Sequence, residues 1–226
     1  SKDPYALRRS SLGVIRLIVD NNKEFKIKDL INYSISLHKE QQLELSNEFL
    51  QKELTDFLLD RLKYYMKEKK IRADIIEGSI SAYGIDHVNK IYKKALALNN
   101  IINSQTGGDI ILSYKRASNI IDSQLRGKQL ELSNTTDPAI FKNDFEKNLF
   151  KTINQLRKYF ASIHKDENYE QSLSNLANAK KVIFEFFDNV KVNDEDMSIK
   201  KNRLELLQML CKTFDNYINF SNIETN

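Results

Sequence analysis

At 226 residues the chain is long enough for one large domain, or two of modest size, with a genuine core. Its single cysteine, Cys211, excludes an intrachain disulfide and a thiolate zinc site and fits a reducing, cytoplasmic setting; no apolar run approaches the roughly 18 residues that cross a bilayer, so no membrane role is expected. The 35 basic and 31 acidic side chains are spread evenly, 15 and 13 in residues 1–83 and 20 and 18 thereafter, so any nucleic-acid surface must be built locally by folding.

Glycine and proline number only 6 and 2, and apolar residues recur at steps of three and four, which predicts an all-α chain. The opening Ser1-Lys2, with no initiator methionine, reads as a fragment of something longer. Both prolines follow aspartate, at Asp3-Pro4 and Asp137-Pro138, a pairing suited to helix starts. A first helix is expected over residues 4–19, burying Leu7, Val14, Ile15 and Ile18, and a shorter one over 28–37. The strongest periodicity runs over 47–69, through Leu50, Leu54, Phe57, Leu58, Leu62 and Tyr65. Asp74 is expected to cap a short helix that stops at Tyr83-Gly84, and the domain boundary is placed there. Residues 1–83 then form a helical body or connector and residues 84–226 an antiparallel helical bundle.

The second part begins with a helix over 86–100, followed by a polar turn over 103–108 that contains Gly107-Gly108. Asp109 is expected to start the next helix, through Ile110, Tyr114, Ala117 and Ile121, and a polar connection over 122–136 follows. Three long helices are predicted over 144–165, 169–190 and 194–219. Their stripes are Phe145, Leu149, Ile153, Leu156, Phe160 and Ile163; Leu173, Leu176, Ile183, Phe186 and Val190; and Leu204, Leu207, Cys211, Phe214 and Ile218.

His38, His87 and His164 each stand alone, without acidic or cysteine neighbours at metal-ligand spacing, so no metal site is expected. No phosphate-binding glycine loop, dinucleotide fingerprint or serine elbow is present. Asp194 and Asp196 read as helix-start charges. The chain offers no catalytic residue of its own.

Four stretches go beyond a generic bundle. DPYALRRSSLGVIRLIVDN, at 3–21, resembles the segment that follows the HD-like domain in the β chains of bacterial two-subunit glycyl-tRNA synthetases. YKRASNII, at 114–121, is similar to that family's K-R-x-x-N-I helix. FEFFDNVKVNDEDMSIKKNRLELLQML, at 184–210, resembles its F-F-D-x-V segment with the following charged helix start and N-R-L triplet, and Asp137-Pro138-Ala139 with the stretch 146–149 matches in order. The chain departs from the family at Lys191 and Asn193, where members usually carry an apolar, Met-containing stretch, and it lacks a proline often found before the phenylalanine pair.

The resemblance implies the carboxy-terminal part of a β chain. Its last domain would be the anticodon-binding bundle shared with arginyl-tRNA synthetase and named after a D-A-L-R signature. It implies glycine tRNA, an α subunit and the rest of the β chain as partners in an α2β2 ligase. ATP and Mg2+ would be used by the α subunit, with no cofactor in this chain. Anticodons for glycine end in two cytosines, which a protein reads by stacking unpaired bases on planar side chains and bonding their edges. Lys115, Arg116 and Asn119 share the polar side of their helix and are one candidate contact; the alternatives are Arg116 paired to a carboxylate and Asn119 as a buried cross-link. Lys200, Lys201, Asn202 and Arg203 are a second candidate, as phosphate ligands; the alternative is an ordinary charged helix face neutralised by Asp194, Glu195 and Asp196 just upstream. Of the adjacent Phe186 and Phe187 one is core, and Phe187 is a candidate stacking platform. Arg8 and Arg9 oppose their helix dipole, which suggests an interdomain or tRNA-body contact. The competing reading is a structural connector that docks the α and β subunits.

Overall fold

The computed structural model describes residues 6–38, 46–126, 131–133, 135–163 and 168–225, whose regular structure is helical, with no strand among them. The helix start expected at Asp3-Pro4, Asn134 in the polar connection, and His164 lie outside the described residues. The chain divides into two compact units, Ser1–Asn99 and Asn100–Asn226. The helix after Gly84, which the sequence groups with the second part, therefore lies up to Asn99 in the first unit.

The first unit contains α1 (Leu7–Asp20), α2 (Ile27–Leu37), α3 (Asn47–Glu68), α4 (Ala73–Tyr83) and most of α5 (Val88–Ile101). α3 packs on α1, α2 and α4. Its core is built from Ile15 and Ile18, the four-residue ladder Ile27, Ile31 and Ile35, Leu62, Tyr65 and Met66, then Ile75, Ile76, Ile91 and Leu98. Contrary to expectation, Leu7 and Val14 are exposed, as is Leu54 in the first half of α3, because the stripe that neighbours cover is narrower than the apolar stripe in the sequence. Asp74 does not cap α4. It sits in the first turn and holds the guanidinium of Arg72, the residue at the cap position, through Nε at 3.1 Å and Nη2 at 2.6 Å. Asp86 does not begin α5; its Oδ1 accepts the Lys28 amide at 3.1 Å in the first turn of α2. Gly84 ends α4 with φ 63°, a conformation that favours glycine.

The second unit contains α6 (Gln105–Leu125), a 3-10 turn Pro138–Ile140, α7 (Asp144–Ser162), α8 (Tyr169–Asn178), α9 (Lys180–Asn189), α10 (Met197–Phe214) and a 3-10 turn Phe220–Asn222. α10 lies against α6 and α7 and is sealed on several sides at once, with Leu204, Leu206, Leu207, Leu210 and Phe214 at 0% exposure. Gly107-Gly108 is not in a turn: α6 begins at Gln105, and the Ser104 hydroxyl accepts the Gly107 amide at 3.3 Å. Gly107 presses on the end of α5, where an added Cβ would fall 2.7 Å from Ile102 Cα. The polar connection starts later than expected, since α6 runs to Leu125. The predicted helix over 169–190 is two helices that break at buried Ala179. No proline or glycine marks that break; beyond it the balance of packing changes, α8 lying mainly against α6 and α9 mainly against α7. Asn143 and Glu146 start α7 with a reciprocal capping box.

Desolvation raises the pKa of several buried groups, Tyr114 and Asp215 among them. Burial pushes the Cys211 thiol up to about 12, with Asp215 and Asp122 adding to it. Burial, then the charges of Tyr92 and Asp20, push the Tyr65 phenol from 10 to about 12. A phenol whose pKa is higher folded than unfolded supplies stability that is whole below pH 10 and is lost as the pH climbs to about 12. In a tyrosinate absorbance titration, Tyr65→Phe is therefore expected to remove a component that ionises near pH 12 and to flatten the fall in stability over that window. Gly107→Ala is expected to lower unfolding stability by about 1–3 kcal/mol in urea melts, because the obstacle is backbone that cannot swing aside.

Candidate nucleic-acid interface

The two basic clusters marked by the sequence have opposite fates. At the start of α10 the cap is Asp196, whose Oδ1 accepts the Ser198 amide at 2.8 Å. Lys200, Asn202 and Arg203 behind it are buried. Lys200 Nζ donates to Asn193 Oδ1 at 2.5 Å. Asn202 clamps the Asp137 backbone, accepting from its amide at 2.7 Å and donating to its carbonyl at 3.0 Å. Arg203 donates through Nε to Glu146 Oε1 at 2.6 Å, and through Nη1 to Asp194 Oδ2 at 2.7 Å and to the Lys191 carbonyl at 3.0 Å. The amide of Asp196, followed by Arg203, holds the Asp194 carboxyl below the usual range.

These three side chains are committed inside the fold, so the assignment of Lys200, Asn202 and Arg203 to phosphate gripping is corrected. The helix that carries them keeps only a narrow solvent edge at that level. Lys201 is half-buried at the rim.

The cluster on α6 is open. Arg116 is 36% exposed and lies over two rings of α9, its Cζ 4.6 Å from the Phe187 centroid and 5.1 Å from that of Phe184. Its Nη2 donates to Asp188 Oδ1 at 3.2 Å, an exposed pair of modest strength. Phe187 is half-exposed and meets the buried Phe186 ring edge-on at 5.6 Å. Asn119 is exposed and its side chain makes no hydrogen bond among the described residues, so it is not a buried cross-link. Lys115, half-buried, donates to the Ser221 carbonyl at 3.2 Å.

The stack continues beyond the residues the sequence singled out. Lys180 Nζ lies 5.6 Å from the Phe184 ring and 2.7 Å from Asp109 Oδ1. Lys180, Phe184, Phe187 and Asp188 recur at helical steps of four and three, a signal visible in the sequence; that Arg116 and Asp109 face them needs the fold. Arg8 and Arg9 are exposed on the first turn of α1 in the other unit. His38 is exposed and His87 half-buried. Among the described residues no three His, Cys, Asp or Glu side chains are grouped to hold a metal, and no helix is long and apolar enough to cross a membrane.

An exposed guanidinium on two aromatic faces, with an uncommitted amide on the same helix, offers planar surfaces and edge donors together, the combination that holds single-stranded bases. Residues 110–225 match the family described as DALR anticodon binding domain, so the second unit is a helical domain of the anticodon-binding class. Residues 1–81 match a second family, described as Glycyl-tRNA synthetase beta subunit. Similar curated proteins include the glycine–tRNA ligase beta subunits of Rickettsia africae (strain ESF-5), 35% identical over 99% of this chain and 31% of its own length, and of Rickettsia prowazekii (strain Madrid E), 34% identical over 97% and 31%. That of Cereibacter sphaeroides (strain ATCC 17029 / ATH 2.4.9) is 30% identical over 99% of this chain and 32% of its own. The chain belongs to the glycyl-tRNA synthetase β-subunit family, and it spans about a third of the length of these relatives.

Arg203→Ala would strand Glu146, which is 1% exposed, and is expected to cost about 3–5 kcal/mol in a denaturant melt. Lys201→Ala should leave the melt within about 0.5 kcal/mol of the parent.

Proposed function

We propose that this chain is the tRNA-binding, anticodon-reading part of a glycyl-tRNA synthetase β subunit, acting in a cytoplasmic α2β2 ligase that joins glycine to its tRNA at the expense of ATP. The observation that carries the reading is the Arg116 stack on half-exposed Phe184 and Phe187, set in a unit that matches an anticodon-binding family. Phe187 and Arg116 supply the stacking surface, Asn119 the edge contact, and Lys115 and Lys201 charge near the strand. Bond-making belongs to the α subunit with ATP and Mg2+. The one Gly-Gly pair here is closed into a helix against the end of α5 and cannot cradle a phosphate chain.

A second reading has its own support. Leu7, Leu17, Tyr33 and Leu37 on α1 and α2 are all more than half exposed, which suits a docking role for the first unit against the rest of the β chain or the α subunit, with Arg8 and Arg9 at its edge.

Binding of the assembled enzyme to glycine tRNA is expected to weaken by about 1–3 kcal/mol when one anticodon cytosine is replaced. Arg116→Ala and Phe187→Ala should each lose a similar amount, about 1–3 kcal/mol, with the fold intact. Equal affinity for both tRNAs would favour the docking reading.

A further inference from the structure

The outward side of α7 carries a feature that the Arg116 stack leaves unexplained. Lys147, Lys151 and Lys158, spaced by four and seven, fall on one stripe of the helix. All three are exposed, and Lys151 and Lys158 meet no carboxylate among the described residues. Lys147 pairs with Asp144 at 3.0 Å, but both side chains are largely in solvent, so an incoming anion can exchange for that partner. The other acid of the helix, Glu146, is buried on Arg203. Residues 100–226 hold 17 basic and 17 acidic side chains, so the stripe is a segregation of charge and not the trace of a general excess.

Beside the stripe runs a groove of about 370 Å³, walled by Thr152, Gln155 and Tyr159 of α7 and by Asn175 and Asn178 of α8, and closed at the Ala179 break. Gln155 and Asn178 are exposed and their side chains make no hydrogen bond among the described residues, and the Asn175 side-chain oxygen accepts from Gln171 while its own amide N–H groups stay available. The Tyr159 hydroxyl is shared with Ser172 at 3.2 Å, which holds the half-buried ring in the wall. Carboxamides present donors and acceptors in one plane, the pattern that matches the edge of a base, whereas an acidic peptide would need only the lysines.

We propose that this groove receives one unstacked anticodon cytosine, the one replaced in the test below, with the neighbouring phosphates of the strand along Lys147, Lys151 and Lys158. The inference rests on the tRNA-binding reading and adds a second contact surface to it, on the opposite flank of α9 from Phe184 and Phe187.

The test measures tRNA affinity of the assembled enzyme over a range of salt, using glycine tRNA and a version with one anticodon cytosine replaced. The double variant Lys151→Ala, Lys158→Ala should flatten the slope of log affinity against log salt by about 1.4, at about 0.7 for each single-strand phosphate that is no longer neutralised. It should weaken both tRNAs alike. Gln155→Ala with Asn178→Ala should leave the slope unchanged and cut the discrimination between the two tRNAs by about tenfold, the effect of about 1.4 kcal/mol. Unchanged slope and affinity in the lysine variant, with Arg116→Ala still weakening binding, would overturn the groove while leaving the tRNA reading in place. Retained discrimination in the amide variant would overturn the base pocket, and loss of subunit association without a change in tRNA affinity would make the stripe a protein dock. Failure of the unaltered enzyme to bind glycine tRNA would remove the tRNA reading and this inference with it.

Discussion

The second unit is organised around a guanidinium that has been taken out of water. Arg203 is 6% exposed, and a charge so placed is tolerable only when its donors are satisfied by nearby acceptors. Glu146 at the start of α7, Asp194 and the Lys191 carbonyl in the approach to α10 meet that demand. Glu146 does two jobs: one oxygen takes Arg203, and the other accepts the amides of Lys142 and Asn143 and so completes the α7 cap. The position of α7, the path into α10 and the seating of α10 in the core are thus aspects of one buried network, with Asn202 tying the Asp137 segment alongside.

Much of this architecture is readable from the residue order, and the parts that are not have a common cause. Apolar periodicity located the helices and named cores such as Leu149, Ile153, Leu176, Ile183 and Phe186, because a repeating greasy stripe must be covered by something. Gly84 was legible as a stop for the same local reason, its backbone preference. A polar stripe carries no such message. The run Lys200 to Arg203 looks like a solvated face, and only the partners at Asn193, Asp137, Glu146 and Asp194, some of them more than fifty residues away, decide that it is interior. Gly107 and Ala179 escaped for a related reason: one is shaped by the end of α5 and the other by which neighbour each half of the segment finds.

The candidate site divides along the same line. Phe187 was identifiable because two adjacent aromatics cannot both face inward, and Arg116 because Tyr114, Ala117 and Ile121 fix the buried side of α6. Phe184 and Lys180 were overlooked because their importance depends on a partner from another helix. Functional cations and structural cations have the same letters in a sequence; desolvation by the surrounding fold is what separates them.

The capping box at Asn143 and Glu146 has a consequence beyond the helix it starts. Because the carboxylate that closes it is also the counter-ion of the core, the first turn of α7 cannot fray without baring a charge in a dry interior. The outer face of that helix therefore rests on a fixed backbone: an RNA strand settling on it would have to still the lysine side chains, but would not have to order the turn that carries them.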